Sequence, residues 1–230
     1  MMSELMTLSS RWRSDNSDFQ PQVITSGRLL CEVAPGSAAV GAISEFIRRR
    51  FEQSYGARPN LSIPQLLALI NEKGTLLAAV GARHADRERL FLEDYLDEPV
   101  EAYLAQEPGV ARSHIVEIAH LAGVEPGVSR PLFLGLALWL VMNLADWIVF
   151  TGTEPLRNSF RRLGIDCFPL AKASADRLPG RGAGWGSYYA QSPMVMAANV
   201  KAGYQNLRTA GLLNQTQWLS AGTERAVSNG

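Results

Sequence analysis

The chain has 230 residues, long for one domain and short for two, and its 47% apolar content is enough for a sizeable core. Lys plus Arg (22) balance Asp plus Glu (22), so no global basic field points to nucleic acid or an anionic membrane. Two cysteines, Cys31 and Cys167, build neither a disulfide framework nor a zinc cluster, and MMSELMTLSSRWRSDNSDFQ lacks the apolar stretch of a secretory signal, so a cytoplasmic setting is expected.

Residues 1–25 are polar and aperiodic and read as a flexible arm, residues 26–215 as one domain, and 216–230 as a frayed tail. LLCEVA (29–34) predicts a strand. From Ser37 to Tyr55, apolar groups at Val40, Ile43, Phe46, Ile47 and Phe51 form a helical stripe. Residues 66–85 predict a hairpin turned at Glu72-Lys73-Gly74. An acidic segment follows (90–107), punctuated by Leu, Phe and Tyr and helical after Pro99. HIVEIAHLA (114–122) predicts an interior strand, with Ile115, Glu117, Ala119 and Leu121 on one face and His114, Val116, Ile118 and His120 on the other.

The turn Gly123–Arg130 then opens an apolar helix at Pro131, followed by a strand and an amphipathic helix closed by Gly164. The run 132–150 approaches the length of a membrane span, but Asn143 and Asp146 break it into a buried helix and a buried strand. LPGRGAGWGS (178–187) is a loop, and beyond it an extended piece precedes a helix opened by Ser192-Pro193. This order predicts an α/β protein with a mixed sheet and helices on both faces.

Glu117 projects from an otherwise apolar row. Desolvation disfavours its charged form, which makes it a candidate general base, or else one half of a structural pair with a buried Arg or backbone amides. The turn before Pro131 is either a plain connection or a phosphate site, since free amides at a helix start, with Ser129 and Arg130 beside them, attract anions. Glu93, Asp94, Asp97, Glu98 and Glu101 form an acidic cluster, either a solvated face or a seat for a cationic amine, with Glu93 and Asp97 the leading candidates. No His is spaced to share metal ligation with these acids, so no metal is expected. Cys167 reads as a packing residue, and His84 and His114 carry no functional signal.

The stretch Glu117–Ile165 resembles the GNAT superfamily of N-acyltransferases, in which a strand, a phosphate-cradling turn, a helix, a splayed strand and a second helix follow one another. RRLGI (161–165) echoes the ending of that last helix, and EPGVSR keeps part of the usual Gln/Arg-x-x-Gly-x-Gly/Ala turn. More widely the chain resembles the thermostable hemolysin family, through RRRFEQSYGA (48–57), LFLEDYLDEPVE (90–101), RSHIVEIAHLA (112–122), VFTGTEPLRNSFRRLG (149–164) and WGSYY (185–189). His120 stands where that family's pattern has Asn. The FLEDYLD and VEIAHLA blocks more weakly resemble acyl-homoserine-lactone synthases.

The resemblance implies a GNAT-like α/β (α+β) fold with a mixed, mostly antiparallel sheet. It also implies an acyltransferase fed by an acyl-CoA or acyl-carrier-protein thioester and acting on a small-molecule amine. The thioester's pyrophosphate would rest on Gly127, Val128, Ser129 and Arg130, with Asn158 a further contact and the pantetheine in a gap between strands 113–121 and 147–152. Glu117 would accept the amine's proton, and Tyr188 or Tyr189 would return one to the thiolate, unless the tyrosines only pack. Glu93, Asp97, His120 and Trp185 would face the acceptor. Two other readings are a membrane-active protein, suggested by the family name, and a non-catalytic ligand-binding domain on the same fold.

Overall fold

The computed structural model describes residues 17–61, 64–104, 110–125 and 127–219. In chain order the elements are β1 (Phe19–Thr25), β2 (Arg28–Val33), α1 (Ala38–Tyr55), β3 (Gln65–Ile70), β4 (Leu76–His84), α2 (Val100–Tyr103), β5 (Ile115–Gly123) and α3 (Ser129–Met142). There follow β6 (Trp147–Gly152), α4 (Glu154–Arg162), β7 (Phe168–Lys172), β8 (Met194–Asn199), α5 (Val200–Thr209) and β9 (Thr216–Trp218). One sheet contains all nine strands, in the order β7-β8-β6-β5-β4-β3-β2-β1-β9. Every neighbouring pair is antiparallel except β5–β6.

Alternation along the strands sends apolar residues to both faces. On one face α1 packs Ile43, Phe46, Ile47 and Phe51 against Cys31, Leu66, Ala68 and Ala79. The 90–104 segment covers the same side of the sheet at Ile115, Val149 and Val195. On the other face lie α3, α4 and α5, with Leu132, Phe133, Trp139, Phe160 and Leu207 in one core. Helix α3 is apolar on nearly all sides because it is enclosed on all sides, touching β1, β2, α5 and β9. It ends at Met142, Leu144 turns the chain with φ 59, and β6 begins three residues later. No helix of the described residues is long and apolar enough to cross a membrane.

Several elements depart from the sequence reading. Residues 19–25 are a strand rather than part of an arm; only Val23 and Thr25 are buried, so the segment looks polar while its pairing with β2 and β9 holds it. Thr216–Trp218, read as tail, forms β9, with the Thr25 and Thr216 hydroxyls 3.1 Å apart. The edge strand β7 carries Pro169 beside a register shift, a position where a missing N–H is tolerated. No helix starts at Ser192-Pro193. Met194–Asn199 is extended between β6 and β7, and α5 begins after Asn199, whose side chain accepts the Ala202 N–H at 2.9 Å. Helix α3 starts at Ser129, two residues before Pro131.

At the start of the parallel pair, Asp146 bonds His114 Nδ1 at 2.8 Å and Lys201 Nζ at 2.6 Å. Its backbone also accepts the Val200 N–H and donates to the His114 carbonyl.

Candidate active site at the splayed strands

Strands β5 and β6 pair over only three positions, Ile115–Glu117 against Trp147–Val149. Beyond them β5 continues alongside β4 and β6 alongside β8, so the sheet opens into a V. A cavity of about 130 Å³ fills the gap, with Phe133, Phe150 and Phe160 on the α3 side and Phe51, Trp185 and Tyr188 on the α1 side. Glu117, His120 and Thr151 also line it.

A bulge sets the face of His120. Ala79 pairs with Ala122 and Gly81 with Ala119, so His120 and Leu121 together oppose Val80. His120 takes φ 55, a left-handed conformation that costs a non-glycine residue about 1–2 kcal/mol and is best tolerated by Asn, Asp and His. The predicted alternation therefore fails past Ala119. Leu121 joins Ile118 and Val116 on the α3 side, whereas His120 meets Phe51, Phe91 and Trp185 at ring distances of 6.1–6.3 Å.

Glu117 is 2% exposed, and its carboxylate accepts the Phe91 N–H at 2.9 Å and the Leu92 N–H at 3.0 Å. Arg83, its cross-strand partner on β4, places Nη1 3.6 Å away and also reaches Glu88 at 3.4 Å. The buried Arg and the backbone amides are thus both present. Burial pushes the Glu117 carboxyl up to about 7, because desolvation outweighs the two N–H donors and Arg83. Burial, with Arg83 nearby, lowers His120 to about 4, so its ring is neutral at pH 7.

Tyr188 is buried, its hydroxyl 3.5 Å from the Thr151 carbonyl on β6. Burial raises the pKa of Tyr188, Tyr95 and Tyr189, so all three phenols keep their protons; Tyr95 and Tyr189 join hydroxyls at 2.7 Å. The 178–191 loop that carries Trp185 and Tyr188 is tied to the end of α1. Ser187 N–H reaches the Tyr55 carbonyl at 2.8 Å and Arg58 N–H reaches the Gly184 carbonyl at 3.0 Å. Gly186 has φ 50, and a Cβ there would collide with the Tyr55 and Gly56 backbone. Thr151 Oγ1 is a buried hydroxyl without a hydrogen-bond partner among the described residues.

The turn before α3 is open: Gly127 has φ 98 and nothing within 4 Å of where a Cβ would sit. Val128 is buried, Ser129 half-buried and Arg130 exposed. The first-turn amides of α3 have no partner within the helix, as at any helix start. Asn158, half-buried on α4, turns its carbonyl to Arg161 at 3.0 Å.

Glu93 and Asp97 do not line the cavity. Glu93 is buried, accepts the Leu90 and Val100 N–H groups, and takes two bonds from Arg112 at 2.7 and 3.1 Å, so its oxygens serve the fold. Asp97 is exposed and pairs with Arg177 at 2.7 Å. Burial pushes the Cys31 and Cys167 thiols up to about 12, so neither is a nucleophile at neutral pH. Among the described residues no three His, Cys, Asp or Glu side chains are grouped to hold a metal ion. Sequence reasoning missed Arg83, Phe91 and Tyr95 as neighbours of Glu117. Phe91 and Tyr95 sit in the FLEDYLD block that carried the resemblance; Arg83 left no signal, since register is not legible from one strand.

The thermostable hemolysin family model matches residues 33–204, three-quarters of the chain. The chain belongs to that family. No sequence among the curated proteins matches this thermostable hemolysin family member. Among solved structures it is similar to FeeM, an N-acyl amino acid synthase from uncultured soil microbes, at TM-score 0.57 and 15% identity, covering 80% of this chain and 97% of that one. The acyl-homoserine-lactone synthase LasI aligns at TM-score 0.53 and 13% identity, over 82% and 96% of the two chains. BjaI, a CoA-dependent acyl-homoserine lactone synthase solved with SAM and isopentyl-CoA, aligns at TM-score 0.50 and 12% identity over 85% and 88%. The fold is GNAT-like.

Proposed function

We propose that the chain is a GNAT-type acyltransferase that moves an acyl group from a CoA or acyl-carrier-protein thioester to the amine of a small molecule. The observation that carries this reading is Glu117, a buried carboxyl held near neutrality that lines the gap between splayed strands. The donor set fits a thioester arm. The α3 amides and Arg130 suit phosphates, the aromatic gap suits the methylene segments, and the orphan Thr151 hydroxyl suits an amide of the arm. Gly127, Val128 and Ser129 would lie against the phosphates, and the Asn158 N–H groups would add a donor from α4. The names of the structural neighbours LasI, BjaI and FeeM agree with acyl transfer, and BjaI was solved with an acyl-CoA.

A bound thioester supplies an electrophilic carbonyl carbon and a sulfur leaving group. The C–N bond forms as the C–S bond breaks. Glu117 accepts the proton that the amine loses; each of its oxygens uses one lone pair on a backbone N–H and keeps another for the substrate. Tyr188, kept protonated by burial, hands a proton to the departing sulfur and recovers one from Glu117, so the proton lost by the amine ends on the thiol. The aromatic walls keep water from the acyl group.

Thermal unfolding with CoA, acetyl-CoA and longer acyl-CoAs tests the donor. At 100 times its dissociation constant a ligand adds about 2.7 kcal/mol, a rise of about 5–11 °C for a domain of this size. The rise is expected to vanish in Arg130→Ala, whose side chain is exposed and not needed for folding. If no CoA ester raises the transition, and no carrier-protein thioester is consumed in the presence of amines, the reading is wrong.

A further inference from the structure

The α1 side of the cavity is a wall of rings. Trp185 lies 5.9 Å from Phe91, 5.3 Å from Tyr188 and 6.2 Å from Phe51, and it stacks on His120 at 6.3 Å and 20°. The wall is held in place: the Tyr95–Tyr189 hydroxyl pair pins one edge, and the 185–188 backbone is tied to α1. Aromatic faces attract cations and flat apolar groups.

Charge narrows the choice further. Among the described lining residues Glu117 is the one carboxylic acid, and there is no Lys or Arg. His120 is neutral at pH 7. Arg83 lines only a small adjoining pocket behind Glu117 and His120, where its guanidinium faces the carboxylates of Glu117 and Glu88. A carboxylate on the acceptor would be buried against ring faces and beside Glu117, and the nearest guanidinium, Arg83, already faces two carboxylates.

We propose that the acceptor is a cationic amine with a flat apolar body and no carboxylate, an arylalkylamine rather than an amino acid. This rests on the acyl-transfer reading and names the substrate class of the same site. The ammonium docks toward Glu117 and the rings and gives its first proton to Glu117, which releases it to solvent at the open end of the cavity. The neutral amine nitrogen then attacks the thioester carbon, and its second proton passes to the freed Glu117 carboxylate as the C–S bond breaks. The flat body stacks on Trp185.

Matched pairs test it: phenethylamine against phenylalanine and tryptamine against tryptophan, each with hexanoyl-CoA, following thiol release and the acylated product. Binding without thioester is followed in parallel by calorimetry. The amines are expected to exceed their amino acids at least tenfold in kcat/KM and in affinity. Trp185→Leu is expected to raise KM for phenethylamine roughly tenfold with little change in kcat, and Trp185→Phe to recover most of the loss. Equal or better use of phenylalanine overturns the acceptor assignment and leaves acyl transfer standing. Tighter binding of phenethylamine with no turnover of any thioester keeps the site and overturns acyl transfer. A Trp185→Leu protein that keeps its unfolding temperature and an unchanged KM also overturns the assignment.

Discussion

Replacing Glu117 by Gln separates the proton-handling role of this side chain from its structural one. In the folded chain the carboxyl holds its proton to about pH 7, against an ordinary value of 4.5. Its contribution to stability is therefore fully present below pH 4.5 and is lost as pH rises through 7. The full span corresponds to about 3 kcal/mol. Gln has no charge to desolvate and lacks this component. It does lose one acceptor: Phe91 and Leu92 each donate to a different oxygen, and an amide offers only one, at about 1–3 kcal/mol for the stranded N–H. Thermal unfolding of both proteins from pH 4.5 to 8.5 should show Gln less stable at the acid end. The difference should then move in favour of Gln by about 3 kcal/mol, about 6–12 °C, by pH 8. Titrating groups that do not interact with Glu117 cancel in the comparison. The variant should also lose 10²–10⁴-fold in kcat/KM, along with the rise in rate expected of the wild type as pH approaches 7. A stability difference independent of pH would refute the buried, proton-holding carboxyl.

Two further outcomes follow from neighbouring groups. Arg112→Met leaves the buried Glu93 carboxyl without its guanidinium and should cost about 3–5 kcal/mol in urea unfolding. Burial pushes Glu93 up, but the Arg112 bonds with the Val100 and Leu90 amides outweigh it and hold the carboxyl low. Its contribution is thus present above the ordinary carboxyl range and lost on acidification, so the variant's acid sensitivity should be smaller than the wild type's. Gly186→Ala drives a methyl into the Tyr55 and Gly56 backbone and must shift the loop. Trp185 should then emit at longer wavelength, and KM for the amine should rise while α1 and the sheet keep their circular dichroism.

The run from β5 to α4 was legible because its periods are strong and its punctuation chemical: an apolar strand, a Gly/Pro turn, a helix apolar all round, a strand, and a glycine-closed helix. Glu117 was legible for the same reason, as one acid in an apolar row. Its surroundings were not. Backbone N–H donors such as those of Phe91 and Leu92 leave no trace in residue type, and Arg83 arrives through register. The bulge at His120 carries no glycine to announce it. Glu93 was misjudged because acids amid Leu and Tyr look like a face for ligands, whereas two amides and an arginine use its oxygens. Strands β1 and β9 were missed since one is half-exposed and the other only three residues long.

The parallel seam between β5 and β6 has its closed end at Asp146, which is stitched to His114, Lys201 and two backbone groups. That makes Asp146 the fixed end of the seam, from which the gap between β5 and β6 widens toward His120 and Thr151. The gauge of the open end is then set by the core that bridges the two strands, where Ile118, Phe133, Phe150 and Phe160 pack together. A cargo too thick for that gauge has to displace those rings, so the bridge across the gap, and not the seam, selects what fits.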